Sequence, residues 1–259
     1  MQQENILPIG SSYDLSALAS DLRRIGRHKP LVATIDRAFS TNSAFQDLKQ
    51  ARDALVLLKR VTSTDDWKQP FSTDEAGTLA GSLFDTAIIL YARATETKPV
   101  GRQPWFGTGK LDADQRVLHS SVMWIRNKEL AHFGSGRPID GTPMIEEAIA
   151  LFNHGTKIGV AYRASRSRNR GQFAKDFSIL VGTVTDLAET ASKQRLEDAH
   201  RELGLAVAAD PSLIKKIRTF PLSSRLSFTD PLLAASPENA DGFRAYGETT
   251  INKIILKSV

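Results

Sequence analysis

The sequence predicts a mainly helical bundle of four to six helices, with one β-hairpin before the last long helix and an irregular C-terminal arm. Three observations carry this expectation. Apolar residues recur at i, i+3 and i+4 through several long stretches, the period of an amphipathic helix. Between residues 146 and 163 that period gives way to β-formers flanking Asn153-His154-Gly155-Thr156. Residues 98–110 are rich in proline and glycine and read as a loop, and no proline falls inside the long helical stretches.

In chain order, a first helix is expected from Asp14 to about Ile25, ended by Gly26 and Pro30. A second should run from Ser43 to Val61, with Phe45, Leu48, Leu55 and Leu58 at helical spacing and Asn42 or Ser43 as N-cap. The third, Thr73 to Glu96, opens on an acidic turn (Asp74, Glu75) and carries the stripe Leu79, Leu83, Ala87 and Tyr91 beside Phe84 and Ile88. The loop that follows contains Gly107-Thr108-Gly109-Lys110. A phosphate loop would need glycine where Pro104 stands and Ser or Thr where Leu111 stands, so that reading fails. Asp112 then caps a helix bearing Leu118, Val122 and Ile125, which should end near His132 or Phe133 because Gly134, Gly136 and Pro138 follow.

Glu146–Phe152 and Lys157–Arg163 read as the two strands of the hairpin, and a short helix over Ile145–Leu151 competes with this reading. The last long helix, Phe173 to Leu203, has Phe173, Phe177, Leu180, Val184, Leu187 and Ala191 on one stripe. Asp210-Pro211 opens a short helix to about Arg218, and Thr219–Val259 forms the arm, with Ile251–Leu256 as its apolar end. The implied organisation is an N-terminal helical extension (1–41), a helical bundle (42–205, hairpin at about 146–163) and the arm (206–259).

Composition narrows the function classes. The chain has no cysteine, which excludes disulfides, thiol nucleophiles and Cys-ligated zinc. The first ten residues lack the basic and apolar regions of a leader, and no run approaches a membrane span, so a soluble cytoplasmic protein is expected. The net charge is +5, and its distribution says more than its size. From Arg163 to Lys175 there are basic residues (Arg163, Arg166, Arg168, Arg170, Lys175) and no acidic one, as a polyanion-binding patch requires. A solvated basic loop is the plainer alternative.

The narrowest pointer is Trp124-Ile125-Arg126-Asn127-Lys128-Glu129-Leu130-Ala131-His132-Phe133. An imidazole that moves a proton and a guanidinium that holds phosphate charge suffice to cut RNA without a metal. Spacing alone is weak, since Arg23–His28 and Arg195–His200 match it too and read as surface pairs. What distinguishes Arg126–His132 is the polar Asn127 after the arginine, the amphipathic helix before it and the glycine stop after it.

In these features the segment resembles the signature of the HEPN superfamily of helical bundles: arginine, a polar residue, then a histidine a few positions on. The stretch Ser82-Leu83-Phe84-Asp85-Thr86-Ala87-Ile88-Ile89-Leu90-Tyr91-Ala92-Arg93 is similar to the preceding core helix of that superfamily, and the resemblance covers about Asn42 to Ser192. It implies a HEPN-like bundle and a metal-independent endoribonuclease, a toxin or anti-phage effector, with no cofactor and no metal. His132 would be the general acid or base, Arg126 would stabilise the phosphate, and Asn127 would orient the arginine or the phosphate by hydrogen bonding. Lys128, Arg163, Arg166, Arg168 and Arg170 would bind RNA. In family toxins controlled by nucleotidyltransferase antitoxins a tyrosine lies two residues after the histidine, and here that position is Gly134. Regulation through that tyrosine is therefore not implied, although an antitoxin or other regulatory protein remains an implied partner.

Six residues along a straight α-helix amount to about 9 Å of rise and about 120° of rotation, which points the Arg126 and His132 side chains apart. Either the helix frays at its glycine-rich end or the site is composite. The resemblance implies the second, a homodimer that brings two motifs together across an isologous interface. Two other readings stand beside the nuclease. One is a non-catalytic HEPN-like bundle binding RNA, nucleotide or a partner protein, in which His132 is a buried helix-terminal histidine continuing the stripe of Leu118, Val122 and Ile125. The other is a helical scaffold whose C-terminal arm mediates assembly. Trp124, Phe84 and Tyr91 read as core aromatics, and Asp65-Asp66 and Glu146-Glu147 as solvated charge. His28, His119 and His154 lack partners at ligand spacing, so no metal site is expected.

Overall fold

The computed structural model describes residues 7, 11–62, 73–96, 103–130, 145–153, 158–166 and 171–222. Among these residues it is mainly helical, with six α-helices and one two-stranded antiparallel hairpin. The helices are α1 (Leu15–Arg24), α2 (Lys29–Thr62), α3 (Thr73–Thr95), α4 (Ala113–Ile125), α5 (Gly171–Ala209) and α6 (Ser212–Ile217). The strands are β1 (Ile145–Asn153) and β2 (Ile158–Arg166). The mainly helical class with an inserted hairpin is thus as expected, and the short helix over Ile145–Leu151 is excluded. Residues 223–259 of the expected arm lie outside the described residues.

The chain divides into two compact units, residues 1–32 with 203–259 and residues 33–202. In the first, the Asp14 side chain caps α1 by accepting from the Ser16 and Ala17 N–H groups at 2.9 and 3.0 Å. Leu18, Ala19 and Leu22 form the buried stripe of α1, and Leu213 and Ile217 that of α6. Tyr13 bridges Pro221 as an isolated β pair, and Lys216 of α6 reaches Asp21 of α1 at 2.5 Å. At the end of α1, Gly26 takes a φ of +71°, while its N–H bonds Arg23 O and the Arg27 N–H bonds Leu22 O. This is the Schellman arrangement that glycine at this position allows.

Pro30 does not act as a stop. It is the second residue of α2, where its missing N–H would be unpaired in any case. The second helix therefore begins 14 residues before the expected Ser43 (29 against 43). Asn42, expected as a cap, lies inside it: its amide donates to Ala38 O at 2.9 Å, and its side-chain oxygen accepts from Ser192 of α5 at 2.7 Å.

The core of the second unit is built from α2, α3, α4 and α5. Ala44, Leu48, Ala51, Leu55 and Leu58 of α2 alternate steps of four and three and are all buried. From α3 come Phe84, Ala87, Ile88 and Tyr91, from α4 Val122 and Ile125, and from α5 Phe173, Phe177, Leu180, Val181, Val184 and Ala188. Past Val184 the buried face of α5 follows Ala188 and Ser192, one position beyond the expected Leu187 and Ala191. Buried polar residues account for the shift: Thr185 bonds Val181 O and Ser192 bonds Asn42, so an apolar pattern does not register them.

Four aromatic rings pack together in this core. Phe177 lies 5.3 Å from Tyr91 and 6.3 Å from Phe84, both edge-on, and Phe84 meets Phe173 at 6.1 Å. At the side of the same core the Arg93 guanidinium grips the buried carboxylate of Asp47 with two hydrogen bonds, one of them 2.8 Å from Nε. Those bonds push the Arg93 pKa still higher. Arg93→Ala is expected to cost about 1–3 kcal/mol, because it strips a buried charge of its guanidinium while the arginine itself is half exposed. A lower urea midpoint with an unchanged slope would register it.

Candidate functional site

Helix α4 is held at its start by a capping box. The Asp112 carboxylate accepts from the Gln115 N–H at 2.8 Å, and the Gln115 side chain accepts from the Asp112 N–H at 3.2 Å. Its buried face is His119, Val122 and Ile125. After Ile125 the chain does not continue as an α-helix to His132. Arg126–Leu130 form a π turn. Such single wide turns are rare, and many occur at functional sites.

The turn has an inside and an outside. Ile125 is fully buried before it, and Leu130, partly buried, packs on the same core at its end. Between these anchors Arg126, Asn127 and Lys128 are exposed. Arg126 Nη1 donates to Asn127 Oδ1 at 2.7 Å, so the two polar side chains are joined at the surface. The rotation reckoned for a straight α-helix does not hold across this turn, because an i→i+5 closure turns each residue through a smaller angle. His132 lies outside the described residues, as do Gly134, Gly136 and Pro138.

Of the basic patch, Arg163 and Arg166 are in β2, paired with Ala148 and Ile145 of β1. Arg168 and Arg170 lie outside the described residues, and Lys175 is exposed on α5. The other two Arg–His matches are in separate surroundings. His28 Nε2 is 3.2 Å from Asp210, and Arg195 pairs with Asp198 at 3.4 Å.

Beside the π turn, α4 and the first turns of α5 line a groove of about 1280 Å³. Trp124, Phe173 and Ile179 form its apolar wall, and Asp112, Asp114 and Asp176 its acidic part. Its one arginine, Arg116, donates to Leu111 O at 2.7 Å. Three carboxylates make this groove a poor host for phosphate. Thr108–Lys110 form a short 3₁₀ turn after Gly107, with Lys110 Nζ 5.9 Å from the Trp105 ring centroid. Among the described residues no group of three or more His, Asp or Glu side chains is placed to hold a metal ion. No described helix is long and apolar enough to cross a membrane.

One polar pair escapes the sequence reading altogether. His119 is buried on α4, and its Nδ1 is 3.0 Å from the hydroxyl of Tyr91 on α3. Phe106 flanks the same imidazole at 5.8 Å. The spacing 119, 122, 125 already places His119 on the buried face, but its tyrosine is 28 residues away and unmarked by any local pattern. Burial pushes the Tyr91 hydroxyl well above its ordinary range and holds His119 below its own, against a weaker opposing pull from Glu96.

A depressed histidine pKa means that below about pH 6.5 the unfolded chain takes up a proton that the folded chain resists. The contribution of His119 is complete above that value and is lost as pH falls through the lower folded pKa. His119→Gln is therefore expected to melt earlier than wild type at pH 7.5 and to lose less stability on going to pH 5. Parallel melting curves at the two pH values for both proteins would contradict this. No family model, no curated protein and no solved structure matches this chain.

Proposed function

We propose that the chain is a metal-independent endoribonuclease of HEPN type, acting as a toxin or anti-phage effector in the cytoplasm, with the Arg126–His132 segment as its active-site half. The observation that carries the proposal is the exposed Arg126–Asn127 pair on a π turn pinned to the core by Ile125 and Leu130. A guanidinium whose orientation is fixed by a neighbouring amide, on a backbone that cannot slide, suits a phosphate better than a mobile surface arginine does.

In the proposed reaction the ribose 2′-oxygen attacks the adjacent phosphorus while its proton passes to a base. A new P–O2′ bond forms, the P–O5′ bond breaks, and a proton is delivered to the leaving 5′-oxygen. The products carry a 2′,3′-cyclic phosphate and a 5′-hydroxyl. His132 takes the role of base or acid, and Arg126 offsets the extra charge at phosphorus. The need for the 2′-hydroxyl makes RNA, not DNA, the substrate. Lys128, beside the pair, and the basic residues Arg163, Arg166, Arg168 and Arg170 serve the RNA backbone. A second copy of the chain completes the site.

The test is RNA cleavage by purified protein in EDTA, with His132→Ala and Arg126→Ala alongside. Cleavage by wild type and its loss in both variants is the expected outcome, and equal activity in all three sinks the assignment. Salt-sensitive binding without products, weakened by neutralising Arg166, Arg168 and Arg170, would instead support the non-catalytic binding protein.

A further inference from the structure

Helix α4 and the first turns of α5 leave a groove between them, and both of its walls belong to the residue 33–202 unit. Each helix gives it one face. Along α4 the lining residues Asp114, Val117, Ser121 and Trp124 recur at steps of three and four, and along α5 Phe173, Asp176 and Ile179 recur at steps of three. From Asp114 to Trp124 the wall is about 15 Å long, nearly three helical turns. Its apolar part is open to water: Val117 is 68% exposed, Ile179 is 59% exposed, and Trp124 is only partly buried. Its charge runs against that of the rest of the chain. Asp112, Asp114 and Asp176 stand against one cation, Arg116, which leaves the lining two charges negative (three minus one), whereas the whole chain is +5.

We infer that this groove seats a basic amphipathic helix from a partner protein, with its apolar stripe on Val117, Trp124 and Ile179 and its lysines and arginines toward the three aspartates. Size is the first argument. At about 1280 Å³ the groove exceeds the roughly 300–1,000 Å³ of small-molecule pockets, and its length suits about ten residues of helix. The backbone is the second. Two helical walls offer side-chain ridges and few free backbone donors or acceptors, so an extended peptide would leave its own N–H and C=O groups unpaired there. A helix satisfies them internally and packs its ridges between those of the walls. Charge is the third, and it selects the sequence of that helix. Lysine and arginine beside an apolar stripe complement the aspartates, whereas an acidic helix is repelled and so is nucleic acid. Since the net charge of +5 repels a basic segment at long range, the attraction has to come from the groove itself. The inference rests on the groove alone and stands whether or not Arg126 takes part in cleavage. It adds a protein partner distinct from RNA and from a second copy of the chain.

The experiment titrates the full chain into a fluorescein-labelled peptide of about 14 residues, with leucine at i, i+3, i+4, i+7 and i+11 and lysine or alanine elsewhere, and reads anisotropy at about 0.15 M salt. Saturable binding with a micromolar Kd is expected. Val117→Glu with Ile179→Glu, both at exposed positions, should weaken it about tenfold or more with an unchanged helical circular-dichroism signal. Asp114→Lys with Asp176→Lys should weaken it to a similar degree. The same charge-reversed protein should take up a peptide with glutamate in place of lysine, which wild type leaves free. That swap is a gain of binding, which a variant that merely unfolds does not give. No saturable binding by wild type, unchanged affinity in either double variant, or equal binding of a peptide with serine in place of leucine would each overturn the inference.

Discussion

Alanine at His132 is expected to lower RNA cleavage by about 10²–10⁴-fold, the usual worth of a positioned proton-transfer group. RNA affinity should change little, because the imidazole acts on protons and supplies little of the backbone binding. Arg126→Ala should cost about 10²–10³-fold in kcat, as loss of one donor to a developing oxyanion does. Arg126→Lys keeps the charge but loses the planar fork whose Nη1 is held by Asn127, so only part of the activity should return. Asn127→Ala leaves the guanidinium in place but free to turn, so its effect should be the smallest of the series. Single-turnover rates with saturating RNA rank the four variants. Since Arg126 and Asn127 are exposed, none of the changes at these two positions should shift the melting curve appreciably. A loss of activity accompanied by unfolding would mean that the turn is structural.

The second large effect concerns stability. Phe177→Ala should destabilise the residue 33–202 unit by about 3–5 kcal/mol, at the high end for a core truncation. Phe177 is fully buried and touches rings from both Tyr91 and Phe84, so its removal loses transfer energy and opens a cavity between α3 and α5. Phe39, 55% exposed on α2, provides the contrast, and Phe39→Ala should change the urea midpoint by well under half as much. Similar losses at the two positions would mean that the packing around Phe177 is wrong.

The sequence carried the helical periods well because tertiary packing obeys them. Leu48, Leu55 and Leu58, then Phe84, Ala87, Ile88 and Tyr91, and Phe173, Phe177, Leu180 and Val184 are buried in the core, whereas Phe45, Leu79 and Leu83 of the expected stripes pack against it only partly buried. It misplaced the start of α2 because Pro30 has two meanings, a stop for the helix before it and a good first turn for the helix after it. It ran α4 smoothly toward His132 because no residue type announces a π turn. The wide turn follows from anchoring Ile125 and Leu130, five positions apart, in the same core. For the candidate site, Arg126 and Asn127 were visible as a motif, but their mutual hydrogen bond depends on the turn. The Tyr91–His119 pair joins two helices, and only tertiary packing brings it together.

On the proposed reading, this chain cuts RNA through its own Arg126–His132 segment and without a metal. Mass analysis of RNA fragments formed in EDTA tests it most directly, with a second substrate in which every ribose is 2′-deoxy. Wild type should leave 2′,3′-cyclic phosphate ends on the RNA and leave the deoxy substrate intact, and Arg126→Ala should yield almost no fragments. Intact RNA with the wild-type protein, or the same cyclic ends at the same rate from Arg126→Ala, would contradict it.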